Sequence, residues 1–206
     1  MSVFIALLFP PIAMLYTMVV HKKDFSIASY VSGVVSGLCA IPFCLMFKLN
    51  FYTSSNFFLY SFSFFFSYFL CPGIFGLLAY YLFNFKSFQV KTMAVALAGI
   101  WSVFLFYAVY KFVMIPTNAI YFILLSSYLV SVLFFDFLIT IFSFLPPMHL
   151  LMVSCISSFL FSYVSCFSFA FWVFKHSPIV YVGLPIIVSS ILFISMFVLT
   201  YKAKTP

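Results

Sequence analysis

Seven apolar runs, each near the length of a membrane-spanning helix, constrain this chain more than any other feature of its sequence. A helix needs roughly 20 apolar residues to cross about 30 Å of hydrocarbon. The runs are continuously apolar and do not alternate with polar residues, so they favour helices over the strands of a barrel. We therefore predict an all-α, polytopic membrane protein with a single transmembrane domain over residues 1–206. Its seven helices are predicted at about 3–20, 26–47, 57–83, 93–115, 119–140, 149–174 and 179–200.

The composition agrees with a membrane location and argues against a nucleic-acid partner. Hydrophobic residues make up 67% of the chain and charged residues 5%, whereas about 25% of the residues in a soluble domain are charged. The formal net charge of +7 arises from lysines that punctuate the apolar runs, where they anchor helix ends in the lipid bilayer. With the N-terminus outside, six lysines fall on the inner side and three on the outer side. The positive-inside rule therefore predicts an outside or lumenal N-terminus and a cytosolic C-terminus.

Small residues recur at helical spacing on three of the predicted helices. Such stripes let two helices approach closely in a membrane, and serine hydroxyls can hydrogen-bond across the contact. Two interpretations stay open: surfaces that dock partner subunits, or packing within the helix bundle of this chain. The stripes are Gly33 and Gly37, Ala98 and Ser102, and Ser154, Ser158 and Ser162.

Residues for catalysis or metal binding are scarce, so we predict that the chain is not an enzyme and binds no cofactor. It has two acidic residues, no glutamate and three scattered histidines, which cannot easily build a metallohydrolase site. Its five cysteines lie within apolar runs and lack the spacing of zinc or redox motifs. An aspartyl dyad needs two carboxylates at one site, but Asp24 falls in the first inner loop and Asp136 in the fifth helix.

Asp136 stands out in the stretch VLFFDFLITIF because a carboxylate within hydrocarbon usually marks a functional site. The fifth predicted helix enters the membrane near Asn118, so a span of roughly 20 residues ends close to Asp136. That count places the carboxylate near the cytosolic boundary, where water, a lysine or a hydroxyl of helix six can satisfy it. We interpret Asp136 as a marker of the helix end and a polar contact for assembly, not as a catalytic acid.

The third predicted helix contains LCPGIFGLLAYY, in which Pro72 and two glycines weaken the helical hydrogen-bond ladder. One interpretation is a proline kink that neighbouring helices stabilise. The other is a broken helix of the kind that transporters use to bind solutes.

Six segments, taken in order along the chain, resemble the anterior-pharynx-defective family, the seven-span scaffold subunit of γ-secretase. The resemblance is spread over nearly the whole chain, and the ordered series carries it rather than any single motif. The segments are FPPIAMLYTMVVHKKDFSI (9–27), GIFGLLAYYLFNFK (73–86), KTMAVALAGIWSVF (91–104), AIYFILLSSYLVSVLFFD (119–136), MHLL (148–151) and VYVGLPIIVSSILFISMF (180–197).

The resemblance implies a non-catalytic scaffold that holds three partner subunits in one membrane complex. The implied partners are a presenilin-like aspartyl protease, a nicastrin-like subunit and a presenilin-enhancer-like subunit. The implied location is the endoplasmic reticulum, Golgi or plasma membrane, and the implied orientation agrees with the lysine distribution.

Departures from the family pattern imply that a member with this sequence would be a divergent one. Ala98, Ser102 and Phe106 stand where the family has three glycines that serve assembly, and Phe106 would fill the third groove. Ser127 stands at the position of a family histidine in helix five, whereas His149 matches the family histidine of helix six.

Two other functions stay open, and both concern the Cys71-Pro72 segment, where the family has an acidic residue. PrsW-type intramembrane proteases have a similar layout and place adjacent glutamates near this segment, so such ancestry implies a dead site. A small-solute transporter or substrate-binding membrane component would instead be built around a helix break between Cys71 and Gly76.

Overall fold

The protein is a bundle of helices in all the parts of the chain that the structure, a computed structural model, describes. These are residues 2–20, 26–46, 56–85, 89–112, 118–142, 146, 148–156, 159, 162–163, 187, 191 and 194. The elements are α1 (Ser2–Val20), α2 (Ile27–Met46), α3 (Phe57–Phe65), a π-helical segment (Phe66–Leu70), α4 (Cys71–Phe83), a short 3-10 turn (Val90–Thr92), α5 (Met93–Phe112) and α6 (Asn118–Ile141). Residues 148–156, 159, 162 and 163 are also helical and are named α7. The predicted all-α class is confirmed.

The apolar runs predict the helix positions well. The first and second predicted helices agree with α1 and α2 to within one residue at each end, and the fifth agrees with α6 equally closely. The third predicted helix, 57–83, comprises α3, the π-helical segment and α4, which we call the α3–α4 rod. The predicted helix at 149–174 is helical over the described residues from 148 to 156, and most of its second half lies outside the described residues, as does most of 179–200.

Two of the described helices are long and apolar enough to cross a membrane, Ile27–Met46 and Phe58–Phe83. Met93–Ala108 is also apolar but shorter. By this measure the structure does not confirm seven spans. The seven-span count and the orientation therefore stay predictions.

Helix α5 forms the centre of the bundle. Every residue from Met93 to Leu105 is buried, and α1, α2, α4 and α6 all pack against this helix. Small side chains at Ala94, Ala96 and Ala98 allow the neighbouring helices to come close to its axis. Over this length α5 therefore has no free face, and its contacts fix the positions of the helices around it.

The third predicted helix continues through Pro72 without a break. In the π-helical segment the N–H of Cys71 bonds to the carbonyl of Phe66, five residues earlier. Pro72 has no N–H and cannot donate to the carbonyl of Tyr68, four residues earlier. Tyr128 of α6 donates its hydroxyl to that carbonyl at 3.1 Å. The backbone thus stays helical through the proline, and the broken-helix interpretation is wrong.

Apolar side chains cover the outer faces of α1, α2 and α4. A soluble monomer rarely exposes contiguous apolar patches, because water makes them costly. The outer faces therefore suit lipid or other apolar helices. Exposed members include Leu8, Ile12 and Leu15 on α1, Val31, Val35 and Leu38 on α2, and Ile74, Leu78 and Leu82 on α4.

Candidate functional site

Two glycines set a close crossing of α2 and α5, which we call the α2–α5 seam. A Cβ on Gly33 would overlap the backbone carbonyl of Ala96, and a Cβ on Gly99 would overlap the backbone carbonyl of Tyr30. A Cβ on Gly37 would come within 3.2 Å of α5. At Gly33 and Gly99 backbone meets backbone, so any larger side chain would push the two helices apart.

A buried hydrogen-bond chain holds the same seam together. The Ser102 hydroxyl donates to the carbonyl of Ala98 at 2.8 Å. A serine hydroxyl has one proton to donate, so the Tyr30 hydroxyl, 2.8 Å from Ser102 Oγ, must be the donor in their contact. The Gly33/Gly37 stripe therefore packs on α5, and Ser102 of the Ala98/Ser102 stripe bonds to Tyr30 of α2, within one chain. For these two stripes the structure agrees with packing inside the bundle and not with an outward docking surface.

Phe106, the third position that the resemblance aligns with Ala98 and Ser102, does not belong to the seam. Its side chain is 40% exposed. Each step of four residues turns an α-helix by about 40° beyond a full turn, so Phe106 points about 80° away from Ala98. A separation of eight residues therefore places Ala98 and Phe106 on adjoining faces of α5, not on one line along the helix.

The serine stripe predicted on the sixth helix also turns inward where it is described. Ser154 and Ser162 are buried, and Ser158 lies outside the described residues. Ser154 Oγ has no hydrogen-bond partner among the residues described. His149 is exposed at the start of α7, and Ser127 belongs to α6, but its side chain is not among those described.

Asp136 lies near the end of α6, five residues before Ile141, which fits its prediction as a marker of the helix end. Its side chain is fully buried, so the carboxylate lies away from bulk water. Val132, Leu133 and Ile139, which lie three or four residues away on the same helix face, are buried as well. This face of α6 packs inside the bundle, and Asp136 lies on it.

Sequence reasoning missed an aromatic cluster that joins three helices. Trp101 of α5 stacks on Tyr128 of α6, with ring centroids 4.8 Å apart and 10° between the ring planes. The ring centroid of Phe69, in the π-helical segment, lies 4.9 Å from that of Tyr128. Trp101 is fully buried, and within the described ranges its Nε1 has no hydrogen-bond partner. With aromatic residues forming 24% of the chain, nothing in the sequence singles out these three.

An open apolar groove of about 710 Å³ lies between the α3–α4 rod and α7. The rings of Phe65 and Tyr163 meet across it at 5.3 Å and 77°. A Cβ on Gly73 would overlap the ring of Phe159, so the two helices come close near this glycine. The remaining lining includes Phe62, Leu70 and Ile74 from the rod and Met152, Cys155 and Ile156 from α7. None of the lining side chains is charged.

Several of the described polar side chains, among them Tyr30, Ser102 and Tyr128, make hydrogen bonds between helices. Within the described part of the chain, no group of three His, Cys, Asp or Glu residues could hold a metal ion. Cys71, Gly73 and Gly76, which sequence reasoning linked to a solute site, are buried in helix packing. No family model, curated protein or solved structure matches the chain.

Proposed function

We propose that this chain is a multi-pass membrane scaffold that assembles and stabilises a γ-secretase-like intramembrane protease complex. The observation that carries the membrane location is the apolar outer surface of α1, α2 and α4. Such a surface is stable against lipid, and costly against water. Two of the described helices also have the length and apolarity needed to cross a bilayer.

The packing around α5 supports a structural role. The α2–α5 seam and the aromatic cluster fix α5 rigidly against α2, α6 and the α3–α4 rod. In lipid, helices associate through close packing and hydrogen bonds because no hydrophobic drive acts between them. A rigid core of this kind suits a subunit whose task is to hold other transmembrane helices in place.

The proposed partners follow from the family resemblance. They are a presenilin-like aspartyl protease, a nicastrin-like subunit and a presenilin-enhancer-like subunit, in the endoplasmic reticulum, Golgi or plasma membrane. Gly33, Gly37, Ala98 and Ser102 are buried within the chain, which supports docking sites for these partners on the outer faces of the bundle.

The proposed function is tested by purifying the tagged full-length chain from membranes solubilised in a mild detergent. We expect a protease with two intramembrane aspartates to co-purify, and we expect multi-alanine replacement of the exposed residues Leu8, Ile12 and Leu15 to leave the chain folded. Equivalent replacements are made on the outer faces of α2 and α4. Replacement of at least one of these three faces should lower the amount of protease that co-purifies. Recovery of the chain alone, as a stable monomer, would overturn the proposal.

A further inference from the structure

Two adjacent prolines, Pro10 and Pro11, lie inside α1 and deprive one backbone carbonyl of its donors. The carbonyl of Leu7 would accept from the N–H four residues later, or three residues later in a tightened turn, and proline has no N–H. A serine or threonine hydroxyl at either position could replace that donor, but the prolines occupy both. The next N–H, that of Ile12, bonds to Leu8 in a continuous α-helix. The Leu7 carbonyl therefore has no donor within its own helix.

This carbonyl lies on the outer face of α1. Phe9 and Ala13 are buried on the inner face, where α1 packs against α5 and α6. Leu7 is 51% exposed, and Pro11 is exposed as well. A helical carbonyl points along the axis towards the residue four positions later, so the Leu7 carbonyl lies between two exposed positions. It faces away from the helices that hold α1, and a donor has to reach it from outside the bundle.

The bundle itself shows how such a carbonyl is satisfied. Pro72 removes the N–H that would bond to the carbonyl of Tyr68, and the hydroxyl of Tyr128 donates to that carbonyl at 3.1 Å. A side chain of a neighbouring helix thus replaces the missing backbone donor. At Pro11 the corresponding neighbour would lie outside this chain.

Lipid and water do not supply the missing donor at this depth. Leu7 lies five residues after Ser2, so its carbonyl is about 8 Å inside the helix from its outer end. Acyl chains have no hydrogen-bond donor, the hydrocarbon core holds no water, and a carbonyl without a partner is costly there. The acceptor therefore selects an occupant with a donor, which apolar surface alone would not do.

A second copy of this chain fits the acceptor less well than a different protein does. The exposed faces of α1, α2 and α4 carry aliphatic side chains at membrane depth. Within the described ranges, the exposed side chains with an N–H or O–H donor all lie within two residues of the end of a helix or turn: Asn56, Gln89, Tyr110 and His149. The occupant that fits is a transmembrane helix with a donor placed deeper along its length.

We propose that the outer face of α1 around Leu7 and Pro11 docks a transmembrane helix of a partner subunit, and that a hydroxyl, amide or indole side chain of that helix donates a hydrogen bond to the Leu7 carbonyl. This docking site rests on the proposed function for its membrane location and its partner. It adds the face of the bundle that the partner meets and the chemistry by which the partner is recognised.

The test places a photoreactive benzoylphenylalanine at Leu8, which is 53% exposed on the same face, in the tagged full-length chain. Membranes are irradiated before they are solubilised, and mass spectrometry identifies the peptides cross-linked to α1. We expect a transmembrane segment of a co-purifying subunit with Ser, Thr, Tyr, Trp, Asn or Gln within one helical turn of the cross-linked residue. Replacement of that side chain by an apolar one of similar size should lower the yield of the adduct.

Two neighbouring variants separate the freed carbonyl from the shape of the helix. Pro11→Ala restores the N–H that bonds to Leu7, whereas Pro10→Ala restores the N–H that bonds to Ala6. We expect Pro11→Ala to lower the adduct yield about threefold or more, the factor that a typical hydrogen bond between membrane helices contributes. Pro10→Ala should leave the yield unchanged. Each variant restores one helical hydrogen bond, so neither should lose stability when it is unfolded in detergent.

Several outcomes would overturn the inference. Adducts with lipid alone, with a second copy or with another segment of this chain would name a different occupant. Equal yields from Pro10→Ala and Pro11→Ala would remove the role of the carbonyl, and a Pro11→Ala chain that unfolds more readily would show that the proline serves the bundle. A two-aspartate protease that co-purifies while Leu8 labels only lipid sinks the docking site alone. A Pro11-dependent adduct with a donor-bearing helix, without that protease, sinks the proposed complex and keeps the site.

Discussion

The hydroxyl of Tyr30 on α2 lies 2.8 Å from the hydroxyl of Ser102 on α5, and the two residues are 72 positions apart in the chain. The Ser102 hydroxyl donates a hydrogen bond to the carbonyl of Ala98, so the hydrogen bonds run from Tyr30 to Ser102 and from Ser102 to the α5 backbone. It lies beside the Gly33–Gly99 crossing, where no side chain separates the helices. Close packing and hydrogen bonding thus act at the same place.

Removing either hydroxyl should weaken the bundle, and the losses should not add. Ser102→Ala leaves a buried Tyr30 hydroxyl without its partner and should cost about 1–3 kcal/mol, whereas Tyr30→Phe should cost about 1 kcal/mol. The double variant should be more stable than the sum of the two losses predicts, by about 0.6 kcal/mol or more. Equilibrium unfolding in detergent micelles measures all three.

Ser36→Ala is the matched control for this cycle. Ser36 is also buried, but its hydroxyl donates to the carbonyl of Ser32 within α2, so its loss removes no contact between helices. We expect Ser36→Ala to cost less than Ser102→Ala. Strictly additive losses for Tyr30 and Ser102 would show that their contact contributes nothing between α2 and α5.

Gly33→Ala should destabilise the chain more than Gly37→Ala, although both positions belong to one G-x-x-x-G motif. A Cβ at Gly33 overlaps the Ala96 carbonyl, which can move only with its helix, and overpacking of this kind costs about 1–3 kcal/mol. At Gly37 the nearest atoms lie 3.2 Å away and include the side chain of Val103, which can adjust. Unfolding of the two variants in the same detergent gives the order, and the reverse order would contradict the seam as described.

The sequence was sufficient to predict the helices but not their contacts. Helix positions follow from local hydropathy, which is why 26–47 anticipated α2 closely. The small-residue stripes were identified, but which stripe faces which depends on helix arrangement, and Gly99 was missed because it lies one position from Ala98 on a different line. The spacing of small residues along a helix cannot distinguish a stripe that packs inside the chain from one that binds a partner.

The path of the chain at Pro72 could not be decided from sequence for a similar reason. Proline removes one N–H, and the sequence shows that loss. The compensating donor is Tyr128, 60 residues beyond Tyr68, and it is held in place by Trp101. The sequence correctly predicted that Asp136 lies near the end of its helix. Its burial depends on neighbours from other helices, and counting residues along one helix does not show them.

Gly73→Ala should cost less stability than Gly33→Ala, although a Cβ overlaps a neighbour at both positions. The atoms that it meets at Gly73 belong to the far edge of the Phe159 ring, which can turn aside into the groove. We therefore expect Phe159→Leu to restore most of the stability that Gly73→Ala loses. Unfolding of both single variants and of the pair measures this, and a loss equal to that of Gly33→Ala without rescue would show that the ring cannot move.

Asp136→Asn should leave both the stability of the chain and the proteolytic activity of a reconstituted complex unchanged. Asparagine keeps the size of the side chain and can still accept hydrogen bonds, but it carries no charge and cannot act as a catalytic carboxylate. A scaffold needs only the buried polar contact, whereas an aspartyl protease needs the carboxylate itself. Asp136→Lys is the contrasting variant, because it buries a long cation in the same space and should prevent folding. Activity is measured on the co-purified complex with a transmembrane substrate peptide, and loss of activity in a stable, fully assembled Asp136→Asn complex would show that Asp136 takes part in catalysis.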